Sequence, residues 1–83
     1  MTYEIIFDKE AVKFLEKLPQ NIRERIFNKI MRAKENPELF FERLSGRDDY
    51  KMRIGPYRAI ADIMHSPDRI CVTKIGHRRN VYK

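Results

Sequence analysis

The spacing of apolar residues changes once along this chain, and that change dictates the class of fold it can adopt. Between Ala11 and Ala33 the apolar residues recur at helical intervals: Ala11, Val12, Phe14, Leu15 and Leu18, then Ile22, Ile26, Phe27, Ile30, Met31 and Ala33. From Tyr50 onward they alternate with polar residues, the interval of a strand with one buried face. Tyr3, Ile5 and Phe7 alternate in the same way ahead of the first helical run. The order is therefore β-α-α-β-β-β. It predicts an α+β fold in which two antiparallel helices cover one face of a small, mainly antiparallel, four-stranded twisted sheet. At 83 residues the chain has room for a single domain, 1–83, with one modest core.

Local signals divide the pattern. Asp8 is expected to cap the first helix and Pro19 to stop it; Asn21 is expected to cap the second, which Asn36-Pro37 ends. Residues 37–49 read as irregular, with Leu39, Phe40, Phe41 and Leu44 closing one end of the core. Gly55-Pro56 reads as a tight turn between strands. Alternation sends Tyr50, Met52 and Ile54 toward the helices, followed by Tyr57, Ala59, Ala61 and Ile63, and in the last strand Cys71, Thr73 and Ile75. The opposite parity puts Lys51, Arg53, Arg58, Lys74 and Arg78 together on the uncovered face.

That face is where the charge lies. The net charge is +6, and all of it falls in residues 43–83, which hold ten Lys/Arg against four acids, whereas residues 1–42 hold eight of each. Five cations on one sheet face repel one another unless an anion binds there, and the anion that fits such a surface is a phosphate backbone. Arginine grips phosphate oxygens in pairs and lysine acts as a point charge, so together they can favour a pentavalent phosphorane over a ground-state diester. Tyr82 brings a phenol whose anion nearby cations stabilise, a group able to take a proton from a ribose 2′-OH.

Other chemistries find little support. His65, Cys71 and His77 match no zinc spacing, and there is no glycine-rich phosphate loop, nucleophilic triad or acidic pair beyond the turn residues Asp48-Asp49. No metal or cofactor is expected. The single cysteine, Cys71, forms no internal disulfide and reads as a small core residue in a cytoplasmic protein. No apolar run approaches the roughly 18 residues of a membrane span, so no membrane partner is expected.

Several runs carry a family likeness. Leu44-Ser45-Gly46, the stretch from Tyr50 to Ile60 (Tyr-Lys-Met-Arg-Ile-Gly-Pro-Tyr-Arg-Ala-Ile) and the ending Ile75-Gly76-His77-Arg78-Arg79-Asn80-Val81-Tyr82 resemble the RelE branch of the RelE/ParE toxin superfamily. So does the opening, where Tyr3 to Phe7 leads into a helix closed by Leu18-Pro19. The resemblance implies a RelE-like toxin of a type II toxin–antitoxin pair that cuts mRNA in the ribosomal A site without metal or cofactor. It implies catalytic roles for Lys51, Arg53, Arg58, Arg78 and Tyr82, with Lys74, Arg79, Lys83 and Arg47 as further RNA contacts. Arg53 stands where family members carry a second lysine, and a guanidinium is unsuited to proton transfer. The implied partners are an acidic RelB-like antitoxin, the ribosome and its message, and operator DNA only through the antitoxin. Two alternatives share the pattern: a ParE-type inhibitor of DNA gyrase, which needs no such cation set, and a non-catalytic RNA-binding module.

Overall fold

The computed structural model describes residues 2–79. Strand β1 (Glu4–Phe7) leads into helices α1 (Lys9–Glu16) and α2 (Gln20–Met31), and then a 3-10 turn at Arg32–Lys34 and another at Pro37–Leu39. Strands β2 (Glu42–Arg43), β3 (Tyr50–Ile54), β4 (Tyr57–His65) and β5 (Asp68–His77) follow. They form one five-stranded sheet in the order β1-β5-β4-β3-β2. Strand β1 runs parallel to β5, and every other neighbour is antiparallel. The α+β class and the element order match the sequence reading, with one strand more than the four expected. The addition is β2, whose two residues are too few to show any alternation.

The helices begin where chain chemistry permits. Asp8 occupies the N-cap of α1, where its carbonyl accepts from Val12 N–H at 3.0 Å, yet its side chain makes no capping bond. The N-cap of α2 is Pro19, not Asn21. Its carbonyl accepts from the N–H groups of Ile22 (3.1 Å) and Arg23 (3.0 Å). A residue with no N–H loses nothing at that position, so the proline that stops α1 also starts α2.

The core lies between the helices and one sheet face. Ala11 and Leu15 of α1 and Ile26 and Ile30 of α2 pack with Met52, Ile54, Ala59, Ala61, Ile70, Val72 and Ile75. Each fully buried Ile or Val contributes roughly 1.5–3 kcal/mol by leaving water. Small side chains at Ala59 and Ala61 keep the central strand low beneath the helices.

The last strand departs from simple alternation. Ile60 pairs with Lys74 but Ala61 pairs with Val72, so Thr73 is an extra residue, a β-bulge. Its hydroxyl donates to the Ile60 carbonyl at 3.2 Å. The bulge reverses parity within β5: Ile75 is buried on one side of it, and Ile70 and Val72 on the other. Of the expected inward set Cys71, Thr73 and Ile75, only Ile75 joins the core, while Cys71 and Thr73 are half-buried outside it.

Candidate functional site

Strand parity on β3 and β4 builds the site. Met52, Ile54 and Ala59 point into the core, so Lys51, Arg53 and Arg58 rise from the opposite face. The register aligns Lys51, Ile60 and Lys74 in one row across β3, β4 and β5, and Arg53, Arg58 and Gly76 in the next. Ile60 is the one apolar residue in these two rows and is only 3% exposed although it lies outside the helix-side core. Its neighbours in the row are Lys51 and Lys74, a residue type whose long aliphatic stem can cover apolar surface. Gly76 contributes no side chain opposite Arg58 and leaves that row open.

Arg53 directly faces Arg58 across the β3–β4 pair, which brings two cations together. These two, with Lys51, line a cleft of about 630 Å³. Glu38, Leu39 and Phe40 from the 3-10 turn and the residue after it also line it, and Lys29 joins them from α2. The Lys29 ammonium donates to the Arg53 carbonyl at 2.8 Å. Lys51 is paired with Glu42 of β2 at 3.3 Å.

The turn joining β3 to β4 brings the end of the chain alongside. Gly55 takes a positive φ of 57°, open to glycine at little cost, and proline follows it. Glycine first and a residue of negative φ second is the pattern of a type II′ hairpin turn. The Pro56 carbonyl accepts from Arg78 N–H at 3.0 Å, which carries the β4–β5 ladder one step beyond its last pair, Tyr57 with His77. By that continuation Arg78 falls on the side of Lys74 and Gly76. His77 takes the other parity and meets Tyr57 edge-on, ring centroids 5.3 Å apart, while Tyr57 meets Phe14 of α1 at 6.0 Å.

The sequence-predicted site residues thus divide into groups. Lys51, Arg53 and Arg58 share the cleft, and Lys74 and Arg78 lie on the same face by register. Arg79 is exposed in the closing turn. Arg47 sits in the β2–β3 connection, its guanidinium held by Asp49 at 2.7 Å. Tyr82 and Lys83 fall outside the described residues. Sequence reasoning missed Lys29, one of several cations on the polar side of α2 with nothing to mark it, and missed the part of the lining formed by Glu38, Leu39 and Phe40. Those three belong to a segment assigned to the end of the core.

A second surface lies between the helices. Phe7, Val12, Leu15 and Phe27 line an apolar groove of about 380 Å³ edged by Glu16, Arg23 and Glu24. Val12 is 39% and Phe27 42% exposed there, and Phe27 stacks on Phe7 at 5.8 Å.

Comparison with known proteins decides the family. Residues 5–82 match the model of the ParE toxin of the type II toxin–antitoxin system parDE. The chain belongs to the ParE toxin family. Within it, the chain is similar to the mRNA interferase toxin RelE of Escherichia coli strain K12, 28% identical over 81 residues covering 94% of this chain and 85% of that relative. Among solved structures, the archaeal RelE–RelB complex from Pyrococcus horikoshii OT3 aligns at a TM-score of 0.77 and 27% identity, over 98% of this chain and 100% of its counterpart. The intact E. coli RelBE toxin–antitoxin complex aligns at 0.77 and 28%, over 90% and 95%. The RelBE2 complex of Mycobacterium tuberculosis aligns at 0.82 over 94% and 100%, its 21% identity speaking to fold alone.

Proposed function

We propose that this toxin is a ribosome-dependent endoribonuclease that cuts mRNA in the A site without a metal ion. The observation that carries the reading is the gathering of Lys51, Arg53 and Arg58 along one cleft, on the face that also bears Lys74 and Arg78. A gyrase inhibitor acting through protein contacts has no need of such a set. Similarity to proteins named mRNA interferases supports the same choice.

In this mechanism the ribose 2′-oxygen attacks the adjacent phosphorus. A 2′-O–P bond forms and the P–O5′ bond breaks, leaving a 2′,3′-cyclic phosphate on one fragment and a 5′-hydroxyl on the other. The 2′-OH proton leaves to a base and the departing 5′-oxygen takes one up. Lys51, Arg53 and Arg58 hold the scissile phosphate and stabilise the charge that builds on its oxygens, worth roughly a hundredfold or more in rate for each well-placed donor. Arg78 closes on the phosphate from the end of β5, and the Tyr82 phenol orients or deprotonates the 2′-OH. Lys74, Arg79, Lys83 and Arg47 bind the flanking RNA. This set lacks a strong general acid or base, which is acceptable where the ribosome positions the message and supplies the orientation.

The partner in the resting cell is an acidic, RelB-like antitoxin in the same cytoplasm. The relatives crystallised with RelB support this, and the groove of Phe7, Val12 and Phe27 offers an amphipathic helix a place to bury its apolar side. Acidic residues on the same partner neutralise the open face, and operator DNA is reached through that partner.

The test is a translating extract supplied with the protein and sequenced for new message ends. The expected result is cuts within codons, lost at least a hundredfold in Arg58→Ala and in Arg78→Ala. Intact messages together with trapped gyrase–DNA complexes would favour the ParE-type reading that the family description also carries.

A further inference from the structure

Among the described residues Leu39 is 76% exposed, whereas the other exposed large apolar residues, Val12, Phe27 and Met64, lie near 40% (39%, 42% and 41%). It stands on the 3-10 turn Pro37–Leu39, lines the 630 Å³ cleft together with Lys51, Arg53 and Arg58, and adjoins half-buried Phe40. A cleft lined by both cations and apolar side chains matches the two halves of a nucleotide, whose phosphate is anionic and whose base is flat and weakly hydrated. Its volume lies within the roughly 300–1,000 Å³ of small-molecule sites. Glu38 adjoins Leu39 on the 3-10 turn, whereas Glu42 lies in register with Lys51 and is tied to it. The Glu38 carboxylate repels phosphate from the Leu39 end and so fixes which way round the nucleotide enters.

We propose that Leu39, backed by Phe40, is a base-binding subsite of this cleft, and that Glu38 beside it selects bases bearing an exocyclic amino group. The proposal rests on the nucleolytic reading above and adds to it a determinant of where the message is cut. An ionised carboxylate only accepts hydrogen bonds. Adenine, cytosine and guanine each offer it an amino group, while uracil offers one N–H flanked by two carbonyl oxygens that repel it. The apolar wall supplies affinity common to all bases, since each presents a π-face.

The experiment maps message ends in a translating extract on transcripts with randomised codons, comparing wild type with Leu39→Ala, Leu39→Phe and Glu38→Gln, each first checked for an unchanged melting temperature. Leu39→Ala is expected to lower cutting about fivefold or more, and Leu39→Phe to keep or raise it. Glu38→Gln, which can donate as well as accept, is expected to reduce the ratio of cuts at amino-bearing bases to cuts at uracil by about fivefold. If the wild type cuts but Leu39→Ala and Glu38→Gln retain its frequency and map, the subsite is refuted while the nuclease stands. The same holds if Leu39→Ala cuts normally and only escapes inhibition by the antitoxin. A wild type that cuts nothing refutes both readings.

Discussion

The two faces of the sheet are built from the same three strands and obey opposite rules. On the helix side the central positions are apolar and dry, and Met52, Ala59 and Val72 are at most 1% exposed. On the open side Lys51, Arg53, Arg58 and Lys74 stand in two adjacent rows with one buried apolar residue, Ile60, among them. The first face supplies the stability, and the second gathers positive charge of the kind that attracts a polyanion. Fold and activity are therefore separable by strand parity: neighbouring residues on one strand answer to different demands.

The sharpest way to break that division is to place the same charge on either side of the bulge. Val72→Asp buries an unpaired carboxylate in the core and is expected to abolish folding, seen as loss of the cooperative thermal transition. Lys74→Asp, two residues along, is expected to leave the melting temperature within a few degrees while RNA binding at low salt falls strongly, as fluorescence anisotropy would report. Equal damage from both would mean the faces are not independent. A finer probe is Arg53→Gln, which removes one cation from the open face and nothing from the core. The denaturation midpoint should stay close to that of the wild type while the salt dependence of RNA binding becomes shallower and cutting falls.

The smallest effect expected lies at the far end of the sheet. Tyr3 shares a hydrogen bond of 2.9 Å with His65 Nδ1, and its phenol is pushed above its ordinary 10.0 by partial burial first and by Asp68 and Glu38 next. The unfolded chain then loses this proton before the folded one does. The contribution is complete below about pH 10 and is lost as pH rises through the folded value. Melting temperatures from pH 8 to 11 should fall more steeply for the wild type than for Tyr3→Phe, and parallel curves would remove the phenol from the account.

Much of this was legible in the chain, for reasons that can be named. Helical spacing placed α1 and α2, and alternation correctly sent Met52, Ile54, Ala59 and Ala61 inward and Lys51, Arg53 and Arg58 outward, because each run is long enough for its period to register. The bulge at Thr73 was not legible: one inserted residue leaves no mark in composition, yet it exchanges Cys71 for Val72 in the core. Asn21 resembled a cap, but chain geometry favoured the carbonyl of Pro19. Strand β2 was too short to show a pattern, and part of the cleft lining consists of Leu39 and Phe40, which alone read as core. Lys29 took its place through tertiary structure only.

The bond from Lys29 to the Arg53 carbonyl has a consequence for how molecules of this protein treat one another. Strand β2 pairs with Tyr50 and Lys51 and ends there, so β3 runs on to Ile54 past its two-residue neighbour, as an edge. Such edges invite a second chain to zip on and seed fibrous or amorphous deposits. The ammonium occupies an acceptor that an incoming strand would need and sets a positive charge in its path. A cell that acetylated this lysine would be expected to find the protein more prone to clump.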